Sequence, residues 1–206
     1  MRRKQLSFGV VLFVCAMVGY GDAQKNQLTG IIGRTFVSDQ IIPTSTDVDN
    51  KLRFGDGLTL EANISRKFWE AQALALSLEV PVVFNVDGDV HVHLNPAANG
   101  YSSIFVTPAA RLNIFSNTAV SPWVSIGGGF GHFSGSAVQS QPNTGTTTGI
   151  FQIGGGLDVA LTHSFSIRGE VRDFWSGVPN LHVTTNESRQ HNLFVGGGLI
   201  WRFGKR

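Results

Sequence analysis

Three groups of residues have types and spacings that chemistry can use. His91-Val92-His93 places two imidazoles at i and i+2, with Asp87 and Asp89 just before them. Two histidines and nearby carboxylates are a start toward zinc, but the spacing fixes no further ligand. A solvated loop is the simpler reading, and neither a metal nor a cofactor is expected. His132-Phe133-Ser134 sets a base beside a hydroxyl. A serine nucleophile needs its histidine oriented by a third group, and the next acid along the chain is Asp158. Arg168, Glu170 and Arg172 alternate, so in a strand they share a face. A carboxylate between two guanidiniums is neutralised, which suits an interior ion-pair network better than acid–base work. No catalytic residue is expected.

The elements that must position these groups are strands. His191 to Phe203 reads HNLFVGGGLIWRF and alternates throughout. Leu193, Val195, Gly197, Leu199, Trp201 and Phe203 fall on one face, Asn192, Phe194, Gly196, Gly198, Ile200 and Arg202 on the other. A period of two is a strand signature. The stretch exceeds the roughly 9–11 residues a tilted strand needs to cross a bilayer. SIGGGFGHF (Ser125 to Phe133) and QIGGGLDVA (Gln152 to Ala160) share its form, three glycines following an aliphatic residue. Glycine inside a strand marks tight curvature or close backbone approach. A phosphate-binding reading fails, because none of these triplets opens a helix or precedes Lys-Ser/Thr.

The 206 residues fit one domain, with 15% charged residues, 25 glycines and 42% hydrophobic residues. Arg2, Arg3 and Lys4 precede an apolar run from Leu6 to Val18, and Gly21-Asp22-Ala23 supplies small residues for a peptidase. Residues 1–23 therefore read as a cleavable signal peptide and 24–206 as the mature domain. A membrane-anchoring helix is the other reading, but the run is short of the roughly 20 residues a span takes. Cys15, the only cysteine, lies in the signal, so the mature chain has no disulfide. Cleavage leaves thirteen basic and thirteen acidic residues, and a neutral chain gives nucleic acid nothing to bind.

Eight strand-like stretches follow: Leu28–Ser38, Gly57–Arg66, Ala71–Phe84, Tyr101–Phe115, Val120–Ser134, Gly149–Leu161, Ser164–Trp175 and His191–Phe203. The connections between them run long, short, long, short, long, short, long. In an up-and-down barrel, alternate connections emerge at one end, so the four long ones share a rim. Outer-membrane barrels have that asymmetry, with short periplasmic turns and long outer loops. The predicted fold is all-β: an eight-stranded antiparallel up-and-down transmembrane β-barrel.

One predicted face is uncharged, running from Leu58, Leu60, Ala62 and Ile64 through Leu74, Leu76, Leu78, Val80, Val82 and Phe84 to Phe165, Ile167 and Val171. The other holds Arg34, Glu61, Glu79, Arg111, Asp158, Arg168, Glu170 and Arg172, four arginines against four carboxylates. Buried charges need partners, so this set is expected to form a polar network in the lumen. Placing Arg34 inside also brings in Leu28, Ile32 and Phe36. Lys25, Lys51, Lys67 and Lys205 fall outside the predicted strands, which favours lipid outside over a soluble barrel with an apolar cavity. Aromatics gather near both rims, as at two membrane interfaces. Phe68, Trp69, Phe115, Trp123, Phe165, Trp201 and Phe203 mark the short-turn end, and Phe36, Phe84, Tyr101, Phe133, Phe174 and Trp175 the other. Eight strands leave an interior about filled by side chains, so no wide pore is expected.

From Gln27 to Phe203 the chain resembles the OmpA/OmpX-like small outer-membrane barrels of Gram-negative bacteria. The likeness lies in the signal, the alternating strands, Thr107 to Gly131 (TPAARLNIF, SNTAV, SPWVSIGGGFG), Ser166 to Trp175 (SIRGEVRDFW) and the closing strand. The resemblance implies location in the outer membrane among lipid and lipopolysaccharide. It also implies that Phe203 helps the barrel assembly machinery recognise the last strand, although three residues follow it here. No periplasmic peptidoglycan-binding domain is expected. The role it implies is non-enzymatic, either in envelope integrity or in surface interaction through four long outer loops, with the loop partner open. His132-Phe133-Ser134 also loosely resembles the His-x-Ser of outer-membrane lipid A deacylases, but Gly135 stands where that motif has Asn. A lipid A-modifying enzyme on the same barrel, and a secreted lipocalin-like ligand-binding barrel, are the alternatives.

Overall fold

A computed structural model describes residues 25–38, 40–41, 51–54, 57–92, 95–137, 144–177 and 189–204. The expected signal segment lies outside these residues. The strands are β1 (Asn26–Val37), β2 (Gln40–Ile41), β3 (Lys51–Phe54), β4 (Gly57–Ala71), β5 (Leu74–Val92) and β6 (Asn95–Val106). They continue with β7 (Ala109–Ile114), β8 (Val120–Ala137), β9 (Thr144–Ala160), β10 (Phe165–Gly177) and β11 (Arg189–Phe203).

These strands close on themselves. The antiparallel circuit runs β1–β4–β5, then β6 and β7 as one interrupted crossing, then β8–β9–β10–β11. The seam is β11 against β1, paired from Asn26↔Phe203 to Val37↔Asn192. That makes eight crossings and no free edge, which is what a sheet in hydrocarbon requires. The predicted crossing Tyr101–Phe115 is split at Thr107-Pro108, because proline has no N–H to donate to a ladder. The Pro108 carbonyl still accepts from the Gly128 N–H at 3.1 Å, which holds the two pieces in line.

The turns at one end are short: Gln72-Ala73, Phe115–Ala119 and Leu161–Ser164. Lys67 to Glu70, expected as the first of them, instead belongs to β4, which bulges between Lys67 and Trp69 before turning. Lys67 is therefore inside a strand, as is Lys51 by its backbone. At the other end the ladder outruns the predicted strands. Residues 85–92 pair with 95–103 through three register shifts, and β3 pairs onto the end of β5. Beyond a membrane rim nothing demands apolar alternation, so backbone pairing continues there without a sequence signature.

Alternation sorts the faces. Leu58, Leu60, Ile126, Ile153, Leu157, Ile167, Val171 and Leu199 are exposed on the outside, Leu199 at 58%. Val80, beside the β6/β7 break, has that phase but is buried. This exterior belt is apolar around the barrel, the inverse of a soluble ligand-binding barrel.

Candidate functional site

The inside is where charge collects. Glu61 on β4, Glu79 on β5, Arg111 on β7, Asp158 on β9 and Arg168, Glu170 and Arg172 on β10 all point inward and are buried. Arg34 does not join them. It faces out with Leu28, Ile32 and Phe36, correcting the expected inward placement. Turning β1 over would take three apolar side chains from lipid to seat one arginine. It would also lose Gly33 from the inner face, where any Cβ would lie 2.6 Å from the Phe194 ring. The described network therefore holds three guanidiniums and four carboxylates.

Trp123, which the sequence groups with the short-turn aromatics although its phase points inward, is its centre. It is 2% exposed, and the guanidinium carbons of Arg111, Arg168 and Arg172 lie 5.7, 4.8 and 5.1 Å from its ring centroid. Each approach is within the range of cation–π attraction. Its indole N–H donates to Asp158 Oδ1 at 3.1 Å. Arg168 donates to both Asp158 oxygens, at 2.7 and 2.8 Å, and its Nη1 lies 3.8 Å from Glu170. Arg172 donates to both Glu170 oxygens, at 2.7 and 3.2 Å, and across the lumen to Glu79 at 2.8 Å. Glu61 lies 3.4 Å from Arg172 Nε, and Arg111 lies 3.5 Å from Glu79. Asn63 donates to Glu79 at 3.2 Å and Arg111 to Gln27 at 2.9 Å. Bidentate arginine–carboxylate pairing is the geometry that offsets desolvation best.

The glycine triplets make this packing fit. In each, the first and third glycines point inward and the middle one outward. A Cβ at Gly156 would lie 2.9 Å from the Trp123 ring, and one at Gly154 3.0 Å from the Arg172 stem. At Gly196 it would meet Phe194 at 2.6 Å, and at Gly198 it would run into the Gly30 carbonyl. At the middle positions, Gly128, Gly155 and Gly197, the nearest atom would be 3.3, 3.3 and 3.5 Å away. The inward glycines are thus recesses for a neighbouring side chain at Gly154, Gly156 and Gly196, and sites of close backbone approach at Gly127, Gly129 and Gly198.

Toward the long-connection end the lumen becomes aromatic. Phe105, Phe133, Phe174 and Phe194 are buried, with Phe105 centred 5.5 Å from Phe133 and 5.3 Å from Phe174. Phe133 and Phe174 thus plug the barrel instead of forming part of the outer girdle. The exposed rim aromatics there are Phe36, Phe84, Phe130, Phe151 and Trp175, opposite Phe68, Trp69, Phe115, Phe165 and Trp201. Toward the short turns a polar cavity of about 350 Å³ opens, lined by Gln27, Ser77, Asn113, Asp158, His163 and Arg202 among others. Asp158, part of its lining, accepts from the Trp123 indole N–H.

The remaining candidates lie elsewhere. His132 and Ser134 share the outer face of β8; His132 Nδ1 and Thr147 Oγ1 share a 2.9 Å hydrogen bond. The third partner is thus a hydroxyl and not a carboxylate. The histidine ring leans over Gly145, the register partner of Ser134. His91 is in β5 by its backbone, and His93 lies outside the described residues. Among the described residues no group of three His, Cys, Asp or Glu is placed to hold a metal ion. Unforeseen at the outer rim is a stack: His191 Nδ1 meets Asp173 at 2.7 Å, its ring lies 5.3 Å from Trp175, and Arg189 covers Trp175 at 5.5 Å.

No family model matches the chain, and no curated protein matches it in sequence. Its fold does have relatives among solved structures. Neisserial surface protein A superposes with a TM-score of 0.60 at 11% identity, over 89% of this chain and 100% of that one. The outer membrane protein OprG of Pseudomonas aeruginosa gives 0.52 at 11% identity, over 88% and 99%. With the apolar belt and the closed circuit, this is a transmembrane barrel of the small outer-membrane type.

Proposed function

We propose that this outer-membrane barrel is a non-enzymatic envelope protein. It reinforces the membrane and presents its long-connection end as an interaction surface. One observation carries the reading: the lumen is filled across its width, and its arginines are paired with carboxylates. Trp123 and its arginines span it, and four phenylalanines lie above them. A filled lumen supports neither a wide conduit nor an interior substrate site. The strands that outrun the membrane build a platform at one end, which suits contact with other molecules. The working surroundings are outer-membrane lipid and lipopolysaccharide. Phe203, paired with Asn26 at the seam and 5.1 Å from Trp201, suits recognition by the assembly machinery.

His132 and Ser134 support a second reading, a hydrolase acting on outer-leaflet lipid. Both face outward, and the His132 ring leans toward the position opposite Ser134. Against it stands Thr147, since a hydroxyl supplies no charge to hold an imidazolium.

Cells with and without the protein separate the two. The envelope reading expects unchanged lipid A mass spectra and higher uptake of an apolar dye when the protein is missing. It is abandoned if acyl chains disappear from lipid A only when the protein is present, and if this stops in a His132→Ala, Ser134→Ala double variant.

A further inference from the structure

Four charged side chains face outward from the described crossings: Arg34, Arg66, Asp173 and Arg189. Three are engaged. Asp173 pairs with His191, Arg189 lies over Trp175, and Arg66 has a partner of its own. Arg34 alone has none among the described residues.

Its surroundings sharpen the anomaly. Arg34 sits opposite Val195 on one side and Leu58 on the other. Together with Ile32, Gly33, Phe36 and Gly196 these form an outward-facing groove of about 430 Å³. Phe36, Leu58, Val195 and Ile32 are apolar and exposed. Gly33 and Gly196 contribute only backbone to its floor, because both face the lumen. Val195 is four residues from His191, the partner of Trp175 at the rim, or about 13 Å along the strand. With barrel tilt, Arg34 lies within the outer half of the belt, below the headgroups but within reach of them by snorkelling. A guanidinium there is costly without an anion.

We propose that Arg34 and this groove bind one outer-leaflet glycolipid. The guanidinium takes a headgroup phosphate through its planar fork, and an acyl chain lies along Ile32, Phe36, Leu58 and Val195. Arginine pairs bidentately with phosphate, and the apolar walls exclude water that would weaken the pair. The apolar walls favour a lipid over a soluble anion, because only a lipid also lays an acyl chain along Ile32, Phe36, Leu58 and Val195. The inference rests on the outer-membrane reading and adds a specific lipid contact to it.

The test uses the folded full-length mature chain, delipidated in detergent and examined by native mass spectrometry. The probes are bisphosphorylated lipid A, its dephosphorylated form and phosphatidylglycerol. Wild type is expected to retain one bisphosphorylated lipid A, with Arg34→Gln binding about tenfold or more weaker and Arg34→Lys intermediate. Dephosphorylated lipid A should bind wild type no better than the phosphorylated form binds Arg34→Gln. Arg189→Gln, at the rim stack, should bind like wild type. Equal retention by Arg34→Gln and wild type overturns the proposal, as does equal retention of phosphatidylglycerol. So does a dimer lost in Arg34→Gln with no lipid bound, because the groove would then seat a second copy. Each sample is also run unboiled and boiled, and the cells are fractionated. A band that does not shift, or a chain absent from the outer membrane, sinks the outer-membrane reading instead.

Discussion

Arg172 and Arg34 carry the same group in opposite settings. Arg172 is 0% exposed and meets Glu61, Glu79 and Glu170. Removing one partner of a buried pair leaves the others charged and unmatched, at about 3–5 kcal/mol. Arg172→Met should therefore lower the urea midpoint of the folded barrel in detergent sharply, followed by the unboiled gel band. Arg34→Leu should leave it unchanged or raise it, because nothing described in the protein depends on that guanidinium. The carboxylates are also unequal. Glu170 accepts from Arg172 with both oxygens, whereas neither Glu61 oxygen accepts a hydrogen bond. Glu61→Gln should therefore cost less than Glu170→Gln in the same assay. Equal losses would mean that the carboxylates act as an undifferentiated pool of charge.

Among the elements, the three glycine-bearing strands make the sharpest expectation. Alanine at the inward glycines Gly156 and Gly198 meets ring or backbone, and overpacking of this sort costs about 1–3 kcal/mol. Alanine at the middle glycines Gly155 and Gly197 faces lipid with ordinary contact distances. Refolding yields into detergent micelles should divide along this line. If Gly155→Ala fails as badly as Gly156→Ala, the triplets serve backbone curvature and not side-chain recesses. The closing stretch was legible as a strand because its apolar face repeats every second residue. Its pairing with β1, and the use of its glycines, depend on strands far away in sequence.

For the molecule as a whole, a closed circuit with an apolar exterior should resist sodium dodecyl sulfate until heated. The unboiled band should run apart from the boiled one. In a planar bilayer the protein should show no large conductance steps, since Trp123, Phe105, Phe174 and Phe194 are packed inside the lumen. Steps comparable to those of a wide-channel barrel of about 16 strands would contradict the filled lumen. The Trp123→Gly variant is the informative control: if this layer is the barrier, leak conductance should appear there and be absent from wild type.

The sequence by itself determined the period of two, the eight crossings, the sorting of long and short connections, and seven of the eight charges it assigned to the lumen. All of these follow from local alternation, which a bilayer enforces strictly on any strand that crosses it. It did not determine β1's orientation, because Arg34 and its apolar neighbours share one phase and only the pairing with β4 and β11 decides where that phase points. Nor did it reveal Trp123 as the hub, or Phe133 and Phe174 as the plug. Alternation puts all three on the inward phase, but phase does not say what an inward aromatic packs against. Its partners are glycines, arginines and rings on neighbouring strands, brought alongside only when the barrel closes.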